Sequence, residues 1–281
     1  MTGAKPDKRL HAWREDLADE RLKDKFEAAA YAEGTAAQII VAVCNVHGAP
    51  AADARLVTQA LMGETARVFE TRDGWSWVQL DGDGYVGYVR EDELAESVET
   101  PTHKVIVPST LRFSKADIKA QPVTPLPLNA RLCAVDEENG FLRLKRGGFV
   151  YAAHCAELSH AAPHWVSVAE QFLGTPYLWG GKSVAGIDCS GLVQVSLQAA
   201  EKICPRDSDM QETSLGMEFP EGAKLQRGDL IFWKGHVGIM RDAIMVLHAN
   251  AHHLMVVSEP LEEAVMRIAL KDSEITMVRR L

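Results

Sequence analysis

The sequence predicts an α+β chain in which two small all-β barrels precede a mixed α/β domain. Three observations carry that expectation. Between residues 36 and 100, short segments of alternating apolar residues are punctuated by Asp-Gly turns. A weaker copy of the same strand spacing recurs over 101–162, as an internal repeat would. From residue 163 the pattern changes to a glycine-rich run, an apolar-periodic helix and a meander of strands, which defines a third domain over 163–281.

Residues 1–35 form a lead-in, and the Ala, Leu, Glu and Lys that dominate 8–33 predict helix there. Strands are expected at Gln38–Val43, Leu56–Leu61, Ala66–Glu70, Trp75–Leu80 and Tyr85–Val89, with hairpin turns at Asp73-Gly74 and Asp81–Gly84. In the second repeat the strands are Ala130–Val135, Gly140–Leu144 and Gly148–Tyr151. That copy lacks the Trp75/Trp77 pair of the first, and Pro122, Pro125 and Pro127 read as its long loop.

In the third domain, Leu192, Val195, Ser196, Ala199 and Ile203 recur at helical spacing behind Asp188, a natural N-cap. Cys189 then occupies the first turn, where unpaired backbone N–H groups and the positive end of the helix favour thiolate over thiol. Downstream, Leu230–Trp233 reads as a buried strand, Lys234-Gly235 as a tight turn, and His236–Met240 and Met245–Ala249 as the strands that follow. If the second connection closes over three residues, Met240 pairs with Ile244 and His236 lies directly across from His248 on the same face; a two- or four-residue loop puts them on opposite faces. A thiol and two such imidazoles fill the roles of nucleophile, base and orienting group. His252 and His253 are adjacent, so they point apart and read as loop residues.

The run Gly174–Gly181, the elbow Asp188-Cys189-Ser190-Gly191, the turn and strand Gly228–Phe232, His236-Val237-Gly238-Ile239 and His248-Ala249 together resemble the NlpC/P60 family of papain-like cysteine peptidases, in the family's order over residues 164–270. Gly63–Val68, Gly74–Val78 and Gly84–Val89 resemble a bacterial SH3 domain. The resemblance implies that Cys189 is the nucleophile, His236 the general base and later acid, and His248 the orienting residue. It also implies that Tyr177 sits near the oxyanion and that Asp188 and Ser190 line the substrate side, with Trp179 a further candidate there. Family members with two SH3 domains act on short muropeptides with a free N-terminal L-Ala, the first SH3 domain closing one end of the site. For such a tripeptide or tetrapeptide, Asp188 with Tyr85 or Tyr88 is the expected partner of the ammonium, and Arg206 of the D-Glu carboxylate. The expected reaction is hydrolysis of the γ-D-Glu–diamino acid bond. The alternatives are remodelling of intact wall, thiol acyl transfer, which would call for an apolar groove, and an inactive wall-binding scaffold, which would have no need of all three of Cys189, His236 and His248.

Composition sets further bounds. A formal charge of −9 and the lack of a basic cluster argue against nucleic acid and anionic membrane as partners. The five cysteines are scattered without a C-x-x-C and there is no H-E-x-x-H, so neither metal nor other cofactor is expected. An odd cysteine count and a polar first ten residues lead to the expectation of a cytoplasmic protein, taken as a monomer.

Overall fold

The computed structural model describes residues 6–220, 222–271 and 273–281; residues 1–5 of the expected lead-in lie outside them. The chain divides into two compact units, Met1–Leu158 and Ser159–Leu281.

In the first unit, seven antiparallel strands run in the spatial order Leu56–Leu61, Val43–His47, Val86–Arg90, Trp75–Leu80, Thr65–Arg72, Thr35–Ile39 and Leu94–Ala95. Their inward side chains, among them Ile39, Val46, Val78, Leu80 and Val89, share one core. The Arg72↔Trp75 pair closes over Asp73 and Gly74, both at positive φ, the conformation a two-residue hairpin of right-handed twist demands. The single strand expected over 38–43 is instead two, because the chain between them bonds elsewhere: Ile40 N–H goes to Glu93 and Ala42 C=O accepts from Met62.

The second repeat forms a three-stranded and a five-stranded sheet around Val105, Leu126, Leu132, Leu144 and Val150. The proline cluster is not a loop. Pro122–Pro127 is the edge strand of the larger sheet, paired with Ser109–Phe113, and an edge is where a strand tolerates residues that cannot donate to the ladder.

The lead-in is not helical either. Over 8–33 the described elements are two two-residue strands and one 3-10 turn capped by Asp19. Packing overrides propensity here: Ala12 is buried with Phe69 and Trp77, Trp13 with Ala18 and Leu22, and the Trp13 indole donates to Glu27 C=O.

The second unit is built on a six-stranded sheet in the order Met217–Glu218, Ile275–Arg280, Leu230–Trp233, His236–Met240, Met245–Asn250 and Met255–Pro260. The helix Cys189–Ala199 packs on its central strands, and of its eleven residues only Gln198 is not buried. The helix stops short of Ile203, which is 92% exposed: Glu201 turns to positive φ, and the N–H groups of Glu201 and Lys202 return to Gln198 and Leu197. A second helix, Leu261–Ala269, packs on the strands Met245–Asn250 and Met255–Pro260, the first of which carries His248.

Candidate active site

The elbow before the helix is held by one carboxylate. Asp188 Oδ1 accepts from Gly191 N–H at 2.7 Å as the helix N-cap, and Oδ2 accepts from Gly180 N–H at 2.7 Å. Two glycines let the segments come this close: a Cβ on Gly191 would stand 2.4 Å from Gly181 O, and one on Gly181 would stand 2.3 Å from Gly186 O. Beneath the elbow Arg206, 1% exposed, grips the same carboxylate with Nη1 at 3.0 Å and Nη2 at 2.7 Å, and gives a further bond of 2.9 Å to Ser190 Oγ.

This geometry corrects the expectation for Arg206. Arg206 is buried against Asp188 and is not available to a substrate carboxylate. Asp188 receives five hydrogen bonds and Ser190 is tied to both partners, so the three form an internal brace beneath Cys189. Tyr85 is likewise withdrawn, 4% exposed in the first-unit core, because strand alternation turns it inward; Tyr88 is half-buried and its phenol oxygen accepts from Arg14 at 3.2 Å. Of the other expected residues, Tyr177 is half-buried with a phenol that senses both Cys189 and Asp188, and Trp179 is largely exposed.

Cys189 opens the helix, and its sulfur accepts from the backbone N–H groups of Ser190 and of Val237, the residue after His236. The helix terminus does not win the contest over its proton. Burial, with the nearby Asp188 carboxylate, pushes the thiol up to about 12, against the smaller opposing pull of those N–H groups and Arg206. His236 is pushed the other way, down to about 3, by burial, then by the His248 imidazole and Arg267. Thiol and imidazole are therefore both neutral at rest, whereas the helix position alone predicts a thiolate.

His236 and His248 meet, by a register other than the expected one. Arg241 N–H bonds to Met245 C=O at 2.8 Å, so the loop is Asp242–Ile244 and the ladder runs Met240↔Val246, Ile239↔Leu247. His248 thus faces Gly238, and His236 is its diagonal neighbour on the same face. The loop is still three residues, so the parity is the expected one. With no side chain at Gly238 in the way, His236 Nε2 lies 2.9 Å from His248 Nδ1.

Two residues that the sequence analysis missed stand behind this pair. His248 Nε2 lies 2.7 Å from Glu259 Oε1 and 3.0 Å from Asn250 Nδ2. A carboxylate is the stronger partner, so Nε2 carries the proton and Nδ1 is left as acceptor. His236 must then donate from Nε2, which leaves its Nδ1 lone pair as the basic site. Arg267 holds Glu259 in turn, Nη1 to Oε2 at 2.6 Å, and with His248 keeps that carboxyl ionised down to about 2 despite its burial. The signal was available: Glu259 shares a face with Val257, the partner of His248. Among the described residues no three His, Cys, Asp or Glu side chains converge as metal ligands would.

A thiol at a helix start with an imidazole pair on the neighbouring strands is the equipment of a cysteine hydrolase. Residues 174–272, which contain all of it, match the NlpC/P60 family, and residues 46–94 match the bacterial dipeptidyl-peptidase SH3 domain. The chain carries an NlpC/P60 domain with a bacterial SH3 domain before it. It is a cysteine peptidase. Proteins similar to this chain include the gamma-D-glutamyl-L-lysine dipeptidyl-peptidase of Bacillus cereus, 29% identical over 64% of this chain and 60% of that protein. Dipeptidyl-peptidase 6 of Lysinibacillus sphaericus is 28% identical over 75% of this chain and 86% of that one, and the gamma-D-glutamyl-L-lysine dipeptidyl-peptidase of Bacillus subtilis is 27% identical over 79% and 80%. The crystal structure of an NlpC/P60 family protein from Bacillus cereus covers 87% of this chain and 99% of its own at a TM-score of 0.73; at 22% identity it shows the shared fold.

Proposed function

We propose that this cysteine peptidase hydrolyses the bond between γ-D-Glu and the diamino acid of short peptidoglycan peptides that begin with a free L-Ala, releasing L-Ala-D-Glu for cell-wall peptide recycling. The observation that carries the chemistry is the His236–His248 contact of 2.9 Å beside the strand residue whose N–H reaches Cys189. The substrate class is supported by what the relatives' names say of those proteins.

In this reading Cys189 Sγ attacks the γ-carbonyl carbon while its proton passes to His236 Nδ1. Because both groups rest neutral, transfer accompanies attack rather than preceding it. His236 becomes imidazolium and is steadied through Nε2–H by His248, which Glu259 holds in the accepting tautomer. Backbone N–H groups at the helix start and the phenol of Tyr177, which burial keeps protonated, meet the oxyanion. The same Nδ1 proton then goes to the leaving amine. Water, deprotonated at that nitrogen, cleaves the thioester and restores the thiol. A cytoplasmic monomer belongs to the proposal, on the support of five cysteines that are all free.

The test is mass spectrometry of the products from L-Ala-γ-D-Glu-diamino acid tripeptides, run beside their N-acetylated forms and the Cys189→Ala protein. Cleavage of the free-amine peptides alone, lost in the variant, is the expected result. Equal cleavage of both forms would remove the N-terminal requirement and point to wall remodelling, and cleavage of neither would overturn the assigned bond.

A further inference from the structure

A cavity of about 370 Å³ opens against His236 within the second unit. Lys234, Arg267, Lys271, His252 and Trp233 are among the residues that line it, Cys189 is not, and no Asp or Glu is present among its described lining residues. Arg267 is already paired with Glu259. Lys234, in the hairpin turn that leads into His236, and Lys271, just past the covering helix, are exposed and make no salt bridge among the described residues. The field of the cations Arg267 and Lys271 is visible in a neighbour. His252 is held below its ordinary pKa by partial loss of water and by the cations Arg267 and Lys271. Trp233, buried at the end of its strand, closes one wall.

Position along the substrate follows from the chemistry. His236 must protonate the leaving nitrogen, so whatever is attached to that nitrogen extends past His236 on the side where this cavity opens. We propose that the cavity receives the leaving diamino acid and selects one whose side chain ends in a carboxylate, as in meso-diaminopimelate, over one that ends in an ammonium alone, as in L-lysine. The inference rests on the function proposed above and sets this chain apart from the relatives whose names specify L-lysine. The distal carboxylate meets Lys234 and Lys271, whereas the distal ammonium of lysine enters a cavity whose described lining holds cations and no carboxylate. Both tripeptides carry the same α-carboxylate, so its contribution cancels in the comparison.

The experiment is the ratio of kcat/KM for L-Ala-γ-D-Glu-meso-diaminopimelate to that for L-Ala-γ-D-Glu-L-Lys with the full chain. Partly exposed charge pairs predict a ratio of roughly ten in favour of the diaminopimelate peptide, and a fall of roughly threefold in Lys234→Met or Lys271→Met. Lys271→Glu lowers it further, and high salt compresses it in the unaltered protein. A ratio at or below one, or a ratio unmoved in all three variants, overturns the proposal. Cleavage of neither peptide is the failure of the underlying reading instead. In that event calorimetry with free meso-diaminopimelate and free L-lysine decides the cavity separately: preference for the former that weakens in Lys271→Glu supports it, and equal or absent binding overturns it.

Discussion

Replacing Glu259 by Gln is the substitution that most directly tests whether the histidine pair works through the carboxylate behind it. The side chain keeps its shape and an oxygen that can accept from His248 Nε2–H, so the tautomer of His248 is preserved and only the charge is lost. The carboxylate stands two hydrogen bonds, of 2.9 and 2.7 Å, and one ring width from the His236 imidazole. At that separation of roughly 8 Å and an effective dielectric near 20, a full charge is worth about 2 kcal/mol to the imidazolium formed during attack. Its removal raises the barrier, because the negative charge stabilises the positive one, and kcat should fall about 30-fold. Arg267, left without its partner, pushes in the same direction. The Glu259→Gln/Arg267→Gln double variant, neutral at both positions, should therefore recover most of the loss. Glu259→Leu should do worse than Gln by about 1–3 kcal/mol, since it strands the buried Nε2–H. Steady-state kcat on one tripeptide, with histidine ¹⁵N shifts to report the tautomer, reads all three. A Glu259→Gln kcat within threefold of the parent, or a double variant no better than the single, would refute the argument.

Because burial raises Cys189 to about 12 and lowers His236 to about 3, the resting site holds neither thiolate nor imidazolium near neutrality. Alkylation of Cys189 by iodoacetamide should climb about tenfold per pH unit between pH 6 and 9; an early plateau that persists from acid to neutral pH would mean a preformed ion pair. Arg206→Met leaves the Asp188 carboxylate buried without its cation, and urea denaturation should show a loss of about 3–5 kcal/mol, partly restored by adding Asp188→Asn. A loss under 1 kcal/mol would contradict the brace. Tyr85→Ala should cost about 3–5 kcal/mol through a core cavity while Tyr88→Ala costs clearly less, as thermal unfolding of each would reveal; the opposite order would return Tyr85 to the surface.

What could be read in advance, and what could not, divides along the range of the interactions concerned. The Asp188 cap and the Cys189 helix start are local, decided by a side chain and N–H groups three residues apart, and so they lie open in the sequence. The two-residue turn at Lys234-Gly235 is equally local. The shared face of His236 and His248 needs only the parity of a loop. Which three residues form that loop was settled by Asp242, whose Oδ1 takes the N–H groups of both Ile244 and Met245 at 2.8 Å and moves the ladder by one residue on each side. That is a recognisable turn signal that hydrophobic pattern alone passes over. The helical lead-in and the proline loop failed for the opposite reason, since composition described each segment in isolation and packing or an edge position overrode it.

Charged residues are where sequence separation misleads most. Arg206 was assigned to a substrate carboxylate because a bidentate donor was wanted and an arginine lay close by; its carboxylate proves to be the protein's own, eighteen positions earlier. Glu259 went unassigned although it sits where an acid is most consequential, two positions along the strand from the residue paired with His248. Both outcomes follow from one requirement, that a buried charge have its partner inside the fold. Asp188 at the elbow could not be buried without Arg206, and the Glu259 carboxylate is buried because His248 and Arg267 meet it from two sides. Lys234 and Lys271 stand under no such requirement, since they are exposed and make no ion pair among the described residues. Among the described cations that line the cavity beside His236, these two are the ones the proposal gives to the substrate.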